Sequence, residues 1–228
     1  MKKISDATKN IVLPKIKKFF STFCYISCQT FDYTGKIFSR LGISANMITL
    51  VGLGVGLLAM NFVAMQMYMT ALVLILLNRF LDGLDGAVAR INKITNFGIF
   101  FDAVCDYIFY SSVIFGFALA NPGENAVCAS FLLFSFTASA VVMLGFATIA
   151  NKKSKQSYMA LNKSPLYLWG FAQGAETFLA IVLLCLLPSK FMVISIFFGV
   201  LTLIKAVGII VNAYYVFEIL EKAGKDER

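Results

Sequence analysis

The sequence predicts an all-α membrane protein with six transmembrane helices and an N-terminal amphipathic helix lying at the membrane interface. Of the 228 residues, 59% are hydrophobic and only 14% are charged, whereas soluble domains average roughly 45–50% apolar residues. Apolar stretches of about 20 residues recur along the chain, and an α-helix of that length crosses a ~30 Å hydrocarbon core. We therefore expect an integral membrane protein.

The predicted spans divide the chain into three parts. A juxtamembrane segment covers residues 1–44, a six-helix membrane domain covers residues 45–220, and a short cytoplasmic tail covers residues 221–228. The six predicted spans lie at residues 45–65, 69–90, 97–120, 126–150, 166–187 and 191–218.

Basic and aromatic residues are interleaved in the first part of the chain. Eight lysines and arginines precede the first span among phenylalanines and tyrosines, and Pro14 can open a helix at its first turn. This mixture is typical of a helix that lies on an anionic leaflet. A solvated basic tail is the alternative that the sequence leaves open.

The distribution of positive charge predicts the orientation in the membrane. Of the 20 lysines and arginines, 17 fall on one side of the predicted spans: before span one, in the turn between spans two and three, between spans four and five, and after span six. Because cytoplasmic loops carry the excess of positive charge, both termini and that turn are predicted to face the cytoplasm. The expected location is a bacterial inner membrane.

Composition also excludes several kinds of chemistry. The chain has no histidine, which removes Ser-His-Asp hydrolysis and every histidine-ligated metal site. Its five cysteines are scattered without a CxxC pair, so we interpret them as small apolar residues. The net charge of +8 is explained by lysines that determine topology, and no nucleic-acid partner is expected.

Four aspartates lie inside one of the most apolar parts of the chain. Asp82 and Asp85 have i, i+3 spacing, and Asp102 and Asp106 have i, i+4 spacing, so each pair shares one face of a helix. The polar stretch 92–96 between them predicts a short turn and hence a helical hairpin with facing carboxylates. A charge at the centre of a membrane helix costs ~2.5–3.5 kcal/mol, so the cluster predicts compensation by a divalent metal ion.

Two classes of function would use such a cluster. An enzyme would hold metal ions on it to bind a phosphorylated substrate, whereas a cation transporter would use the carboxylates as ion ligands. A transporter would favour carboxylates near the middle of the membrane and a second acidic pair in the later spans. The aspartates lie near one surface and spans four to six contain no such pair, so the enzyme is favoured.

The stretch 82–106 follows the pattern D-x2-D-G-x2-A-R-x7-G-x3-D-x3-D, which resembles the signature of the CDP-alcohol phosphotransferases, or CDP-alcohol phosphatidyltransferases. One departure is that the arginine and the second glycine are separated by one residue fewer than is usual. The resemblance implies an enzyme of phospholipid biosynthesis that transfers a phosphatidyl group from CDP-diacylglycerol to the hydroxyl of a small alcohol and releases CMP. It also implies a homodimer.

The aspartates suit that reaction. A CDP-linked lipid carries a diphosphate whose charge must be neutralised before a hydroxyl can attack phosphorus, and two Mg²⁺ or Mn²⁺ ions held by shared carboxylates would do this. Asp82, Asp85 and Asp102 are predicted to bind the metal ions directly. Asp106 would complete the second metal site and act as the general base that accepts the proton of the acceptor hydroxyl.

The nucleotide would lie near the first turn of the hairpin and the start of span one. Gly83 and Gly86 lack side chains and would let a nucleotide approach the backbone. By the resemblance, Gly86, Arg90 and Thr95 would contact the cytidine diphosphate. The stretch SANMITL resembles the family's S-P-N-x-x-T entrance to span one, with alanine in place of the proline, and implies nucleotide contacts for Asn46 and Thr49.

The acceptor alcohol is left open. Glycerol phosphate or inositol phosphate would call for further cations, and the candidates are Lys152, Lys153 and Lys155. Serine would call for a carboxylate and an ammonium group, which Glu176 and Lys205 could provide. Those two residues are isolated charges within predicted spans, and the alternative is that they pair with each other.

The topology leads to a labelling prediction. In a chain from which the native cysteines are removed, Asn92→Cys should react with a membrane-impermeant thiol reagent only in inverted vesicles, because the hairpin turn is predicted to be cytoplasmic. Gly123→Cys should react only from the opposite face. Labelling of both variants from the same side would contradict the predicted span count and the cytoplasmic position of the aspartates.

Overall fold

The computed structural model describes residues 31, 33–152, 173–214 and 217, with only the backbone described at residues 147, 150–152 and 173–175. These residues form helices and short turns, without a β-strand in the described ranges. The longer helices are α1 (Ala45–Ala64), α2 (Tyr68–Asn92), α3 (Asn96–Ala120), α4 (Pro122–Lys152), α5 (Gln173–Leu186) and α6 (Phe191–Tyr214), with a 3₁₀ turn at Pro188–Lys190 before α6.

Four segments of the described chain are long and apolar enough to cross a bilayer: Ala45–Ala64, Asn96–Ala120, Pro122–Phe146 and Pro188–Tyr214. Their outward side chains are large and apolar, as at Val127, which is 81% exposed. Such surfaces are unfavourable in water and normal in lipid. The all-α membrane class is therefore confirmed for the described residues, while the count of six spans stays a prediction.

Two predicted spans differ from the other four in their composition or length. Helix α2 has 25 residues, but it carries Arg79, Asp82, Asp85 and Arg90 and so lacks a continuous apolar stretch. Helix α5 is described over 14 residues, because residues 153–172, where its predicted span begins, lie outside the described part. Most of the predicted interfacial helix and the tail 221–228 also lie outside it.

The chain divides into two compact units. One comprises the described residues up to Val55 together with Leu76–Asp106, and we call it the aspartate unit. The other comprises Gly56–Ile75 and the described residues from Tyr107 onward, and we call it the bundle unit. All four aspartates belong to the first of these.

The aspartate unit has a small apolar core that joins the juxtamembrane segment to α2. Ile48, Leu84 and Val88 are buried, and residues 33–40 form a helical segment beside them. A Cβ atom added to Gly83 would lie 2.9 Å from the Phe31 ring, so a larger residue here would displace that ring. The expectation that Gly83 admits a nucleotide is therefore wrong, because Phe31 fills the space beside it.

The bundle unit is held by a larger apolar core. Phe109, Phe117 and Phe191 are almost fully buried there, and the rings of Phe117 and Phe191 stack with their centroids 5.2 Å apart. Three cysteines of the described residues, Cys105 in the aspartate unit and Cys128 and Cys185 in the bundle unit, are buried free thiols, in agreement with their interpretation as small apolar residues.

Candidate active site

Three of the aspartates form a cluster at the hairpin. One carboxylate oxygen from each of Asp82, Asp85 and Asp102 lies within 4.8 Å of the others. Helix α2 ends at Asn92 and α3 begins at Asn96, so the short turn between them returns the chain and brings Asp102 opposite the first two aspartates. The predicted turn and the predicted approach of the two pairs are both present.

Asp85 is fixed by helix α1. Its side chain is buried, with 5% exposure, and its Oδ2 accepts a hydrogen bond of 2.6 Å from the Thr49 hydroxyl. The Thr49 Oγ1 also lies 3.1 Å from the carbonyl oxygen of Ala45, one turn earlier. A hydroxyl bonded to a carboxylate forms one of the stronger hydrogen bonds in proteins, so Thr49 holds Asp85 in a fixed orientation.

Asp106 is held by an arginine of the facing helix. The Arg79 Nη2 donates a hydrogen bond of 2.6 Å to the Asp106 Oδ1, and its Nη1 lies 3.5 Å from the Asp106 Oδ2. The same Nη1 is 3.5 Å from the Asp82 Oδ2. One guanidinium group therefore links the two aspartate pairs.

Arg79 is itself held in place by its neighbour. The Asn78 Oδ1 accepts hydrogen bonds from the Arg79 Nε at 3.0 Å and from its Nη2 at 2.8 Å. The Asn78 Nδ2 donates a 2.8 Å hydrogen bond to the carbonyl oxygen of Gly52 on α1. Asn78 is 4% exposed, so a buried amide fixes the arginine against the backbone of another helix.

Neither Arg79 nor Asn78 was predicted from the sequence to take part in the site. The available signal was their position: two polar residues stand three and four residues before Asp82 in an otherwise apolar run. On a helix that spacing places them on the same side as the aspartate.

A cavity of about 420 Å³ opens beside the carboxylate cluster. Its lining includes the five residues for which the family resemblance implies nucleotide contacts, together with two of the aspartates: Asn46, Thr49, Asp85, Gly86, Arg90, Thr95 and Asp102. A Cβ atom added to Gly86 would lie 3.6 Å from the Arg90 guanidinium, so this guanidinium lies over the glycine. The predicted nucleotide residues and two of the predicted metal ligands therefore line the same cavity.

The turn between α2 and α3 forms one wall of the cavity. Thr95 caps α3, because its Oγ1 accepts a hydrogen bond of 3.0 Å from the backbone N–H of Gly98. The positive end of the α3 dipole therefore faces the cavity, an arrangement that favours anions. Lys93 has a φ of +135°, a conformation that costs on the order of 1–3 kcal/mol in a non-glycine residue, and it also lines the cavity.

The structure describes the side chains of only two candidate acceptor residues, Glu176 and Lys205. Lys153 and Lys155 are outside the described residues, and only the backbone of Lys152 is described. Glu176 and Lys205 form an ion pair within the bundle unit. The alternative in which these two charges pair with each other is therefore observed.

The carboxylate cluster fits a hard divalent cation. Its donors are carboxylate oxygens, which Mg²⁺ and Mn²⁺ prefer, and their separation allows one ion to contact all three. The described residues offer no competing nitrogen ligand, since the chain has no histidine. Asp82, Asp85 and Asp102 would hold such an ion.

Comparison with known proteins agrees with this geometry. The model of the CDP-alcohol phosphatidyltransferase family matches residues 42–215, a range that contains the cavity and all four aspartates. Because the match covers most of the chain, this protein belongs to the CDP-alcohol phosphatidyltransferase family. The resemblance based on the aspartate pattern is confirmed.

Two relatives are informative. The chain is 43% identical over 166 residues to the inner membrane protein YnjF of Escherichia coli, a match that covers 73% of this chain and 81% of that protein. It is 37% identical over 94 residues to the archaetidylinositol phosphate synthase of Pyrococcus horikoshii, which covers 41% of this chain and 50% of that enzyme. The protein is accordingly an integral membrane transferase of phospholipid biosynthesis.

The Thr49–Asp85 hydrogen bond leads to a prediction about metal affinity. Thr49→Val should weaken Mn²⁺ binding by about 10-fold or more, because groups that orient metal ligands typically contribute 10–100-fold to affinity. Thr49→Ser keeps the hydroxyl and serves as the matched control. Titration of the purified protein with Mn²⁺, followed by electron paramagnetic resonance, measures both. Equal affinity in Thr49→Val and the wild type would show that the hydroxyl does not orient Asp85 for metal binding.

Proposed function

We propose that this protein transfers a phosphatidyl group from CDP-diacylglycerol to the hydroxyl of a small alcohol and releases CMP, using two Mg²⁺ or Mn²⁺ ions. The observation that carries the proposal is the position of the carboxylate cluster at the edge of a cavity with a cationic and glycine-lined wall. Its volume, about 420 Å³, lies in the range of small-molecule sites. Family membership supports the reaction class.

The cavity residues would bind the cytidine diphosphate. Arg90 supplies a permanent cation for the phosphates, and Gly86, directly beneath its guanidinium, leaves the backbone open to close approach. Asn46 and Thr95 approach each other across Gly98, where an added Cβ atom would lie 3.4 Å and 3.0 Å from their side-chain oxygens. These two side chains would hydrogen-bond to the nucleotide.

The aspartates would organise the reacting phosphate. Divalent ions bound at this site would neutralise the diphosphate and stabilise charge on the attacking and leaving oxygens. The acceptor oxygen forms a bond to the phosphorus that carries diacylglycerol, and the bond from that phosphorus to the bridging oxygen breaks. CMP leaves with the bridging oxygen, while the hydroxyl proton passes to the Asp106 carboxylate.

Inositol phosphate is the acceptor that we would test first. The relative from Pyrococcus horikoshii is named an archaetidylinositol phosphate synthase, which favours a phosphorylated polyol over serine. Lys152, Lys153 and Lys155 are the proposed partners of the acceptor phosphate. Glycerol phosphate has the same charge requirement and serine a different one, so a panel of the three separates them.

The membrane arrangement is part of the proposal. Both termini and the hairpin turn would face the cytoplasm, so CDP-diacylglycerol would enter from the cytoplasmic leaflet with its tails in lipid. The six-helix domain at residues 45–220 would carry the activity in a homodimer, with residues 1–44 lying at the interface and residues 221–228 as a tail.

The direct test measures CMP release by the purified full-length protein from labelled CDP-diacylglycerol. The acceptor panel contains inositol phosphate, glycerol phosphate and serine, each assayed with Mg²⁺ and after exhaustive chelation. We expect release with one acceptor and only with the metal present. Undiminished turnover in protein confirmed to be free of metal would overturn the mechanism, and release with no acceptor of the panel would overturn the proposed acceptor class.

The role of Asp106 leads to a second prediction for this assay. Asp106→Asn should lower the transfer rate by ~10²–10⁴-fold, the usual loss when a general base is removed, while CDP-diacylglycerol binding is largely retained. The amide oxygen can still accept from Arg79, so the hairpin should stay folded. Glu124→Gln, which removes a carboxylate at the start of α4, is the control and should keep wild-type turnover. Near wild-type rates in Asp106→Asn at saturating Mg²⁺ would exclude it as the base.

A further inference from the structure

The fourth aspartate differs from the other three in how closely it pairs with Arg79, which lies 2.6 Å from Asp106 and 3.5 Å from Asp82. Asp82, Asp85 and Asp102 converge on one point, whereas Asp106 is held by the Arg79 guanidinium at 2.6 Å and 3.5 Å. A guanidinium group carries a permanent positive charge and matches a carboxylate in geometry. It therefore faces both Asp106 oxygens, the atoms with which Asp106 would contact a second metal ion.

The surrounding space supports the same conclusion. A small cavity whose lining includes the four aspartates, Arg79 and Cys105 has a volume of about 10 Å³, which is room for about one water-sized group. Two metal ions in such enzymes lie about 3.5–4 Å apart. The space beside Arg79 in this small cavity therefore matches one ion.

The Arg79 side chain is also held in place by several hydrogen bonds. Three of its nitrogens are engaged at once: Nε and Nη2 by the buried Asn78 amide, Nη2 by Asp106, and Nη1 near Asp82. Asn78 is in turn tied to the Gly52 carbonyl. A mobile surface arginine would lose much side-chain entropy on forming such contacts, but a side chain fixed on two sides has already lost it.

We propose that Arg79 is a positioning residue that pairs with Asp106 and keeps it from binding metal. The free protein then binds one divalent ion at Asp82, Asp85 and Asp102. A second ion binds only by displacing the guanidinium from Asp106. This inference rests on the proposed metal-dependent function. In this scheme Arg79 controls metal binding rather than substrate binding. The second metal ion replaces the Arg79 guanidinium at Asp106 instead of entering an open site.

The test is a Mn²⁺ titration of the metal-free, purified full-length protein, with the number of bound ions read from the electron paramagnetic resonance signal of free Mn²⁺. The wild type should bind one ion per chain, with a second at least tenfold weaker. Arg79→Gln should bind the second ion at least tenfold more tightly than the wild type does. In this variant two neighbouring ions should also show magnetic coupling, a readout that does not depend on turnover.

Three further variants complete the comparison. Arg40→Gln removes the same charge at an exposed position of the 33–40 segment and should bind Mn²⁺ as the wild type does. Asp106→Asn added to Arg79→Gln should return the count to one ion. Should Arg79→Gln fail to fold, Arg79→Lys replaces it, because one ammonium group cannot hold the Asn78 oxygen and both Asp106 oxygens, so its second ion should also bind more tightly.

The outcomes separate this inference from the proposed function. Two ions of equal affinity in the wild type, or a second ion no tighter in Arg79→Gln, would overturn the role of Arg79 while leaving the metal-dependent reaction in place. The absence of any Mn²⁺ uptake by the wild type would overturn the proposed metal site itself, and the inference with it.

Discussion

Mutual repulsion among closely spaced carboxylates is the constraint on which the aspartate unit depends. The chosen oxygens lie within 4.8 Å of one another, and at that distance two unit charges repel by roughly 3 kcal/mol or more at an effective dielectric constant of about 20. Three such pairs exist in the cluster, and Asp106 adds further negative charge. The hairpin can hold these groups together only because cations and hydrogen-bond donors are arranged around them.

The compensation comes from different elements for different aspartates. Thr49 on α1 donates to Asp85, and Arg79 on α2 bridges Asp82 and Asp106. The Thr49–Asp85 contact joins α1 to α2, and the Arg79–Asp106 contact joins α2 to α3. These polar contacts therefore also fix the packing of α1, α2 and the first half of α3. The same contacts that make the cluster tolerable therefore hold the proposed reaction site in shape.

The turn between α2 and α3 shows how a local feature serves the site. It is one residue shorter than the family pattern, and Lys93 within it adopts a strained positive φ. The turn still places Thr95 where it caps α3 and lines the cavity.

The sequence by itself determined the helical membrane class, the hairpin and the approach of the aspartate pairs. These depend on period and spacing within single helices, and such signals are local: i, i+3 and i, i+4 spacing sets a shared face whatever the helix packs against. The residues for which the family pattern predicts nucleotide contacts likewise line one cavity in the structure.

Only the tertiary structure decided which groups meet across helices. Gly83 was expected beside the nucleotide, yet the Phe31 ring, 52 positions earlier in the chain, lies against it. Arg79 had no predicted partner, yet it donates a hydrogen bond to Asp106, which lies 27 residues away on the next helix. The physical reason is that spacing along one helix specifies a face, whereas the partner on that face depends on the packing of another helix, which no local pattern encodes.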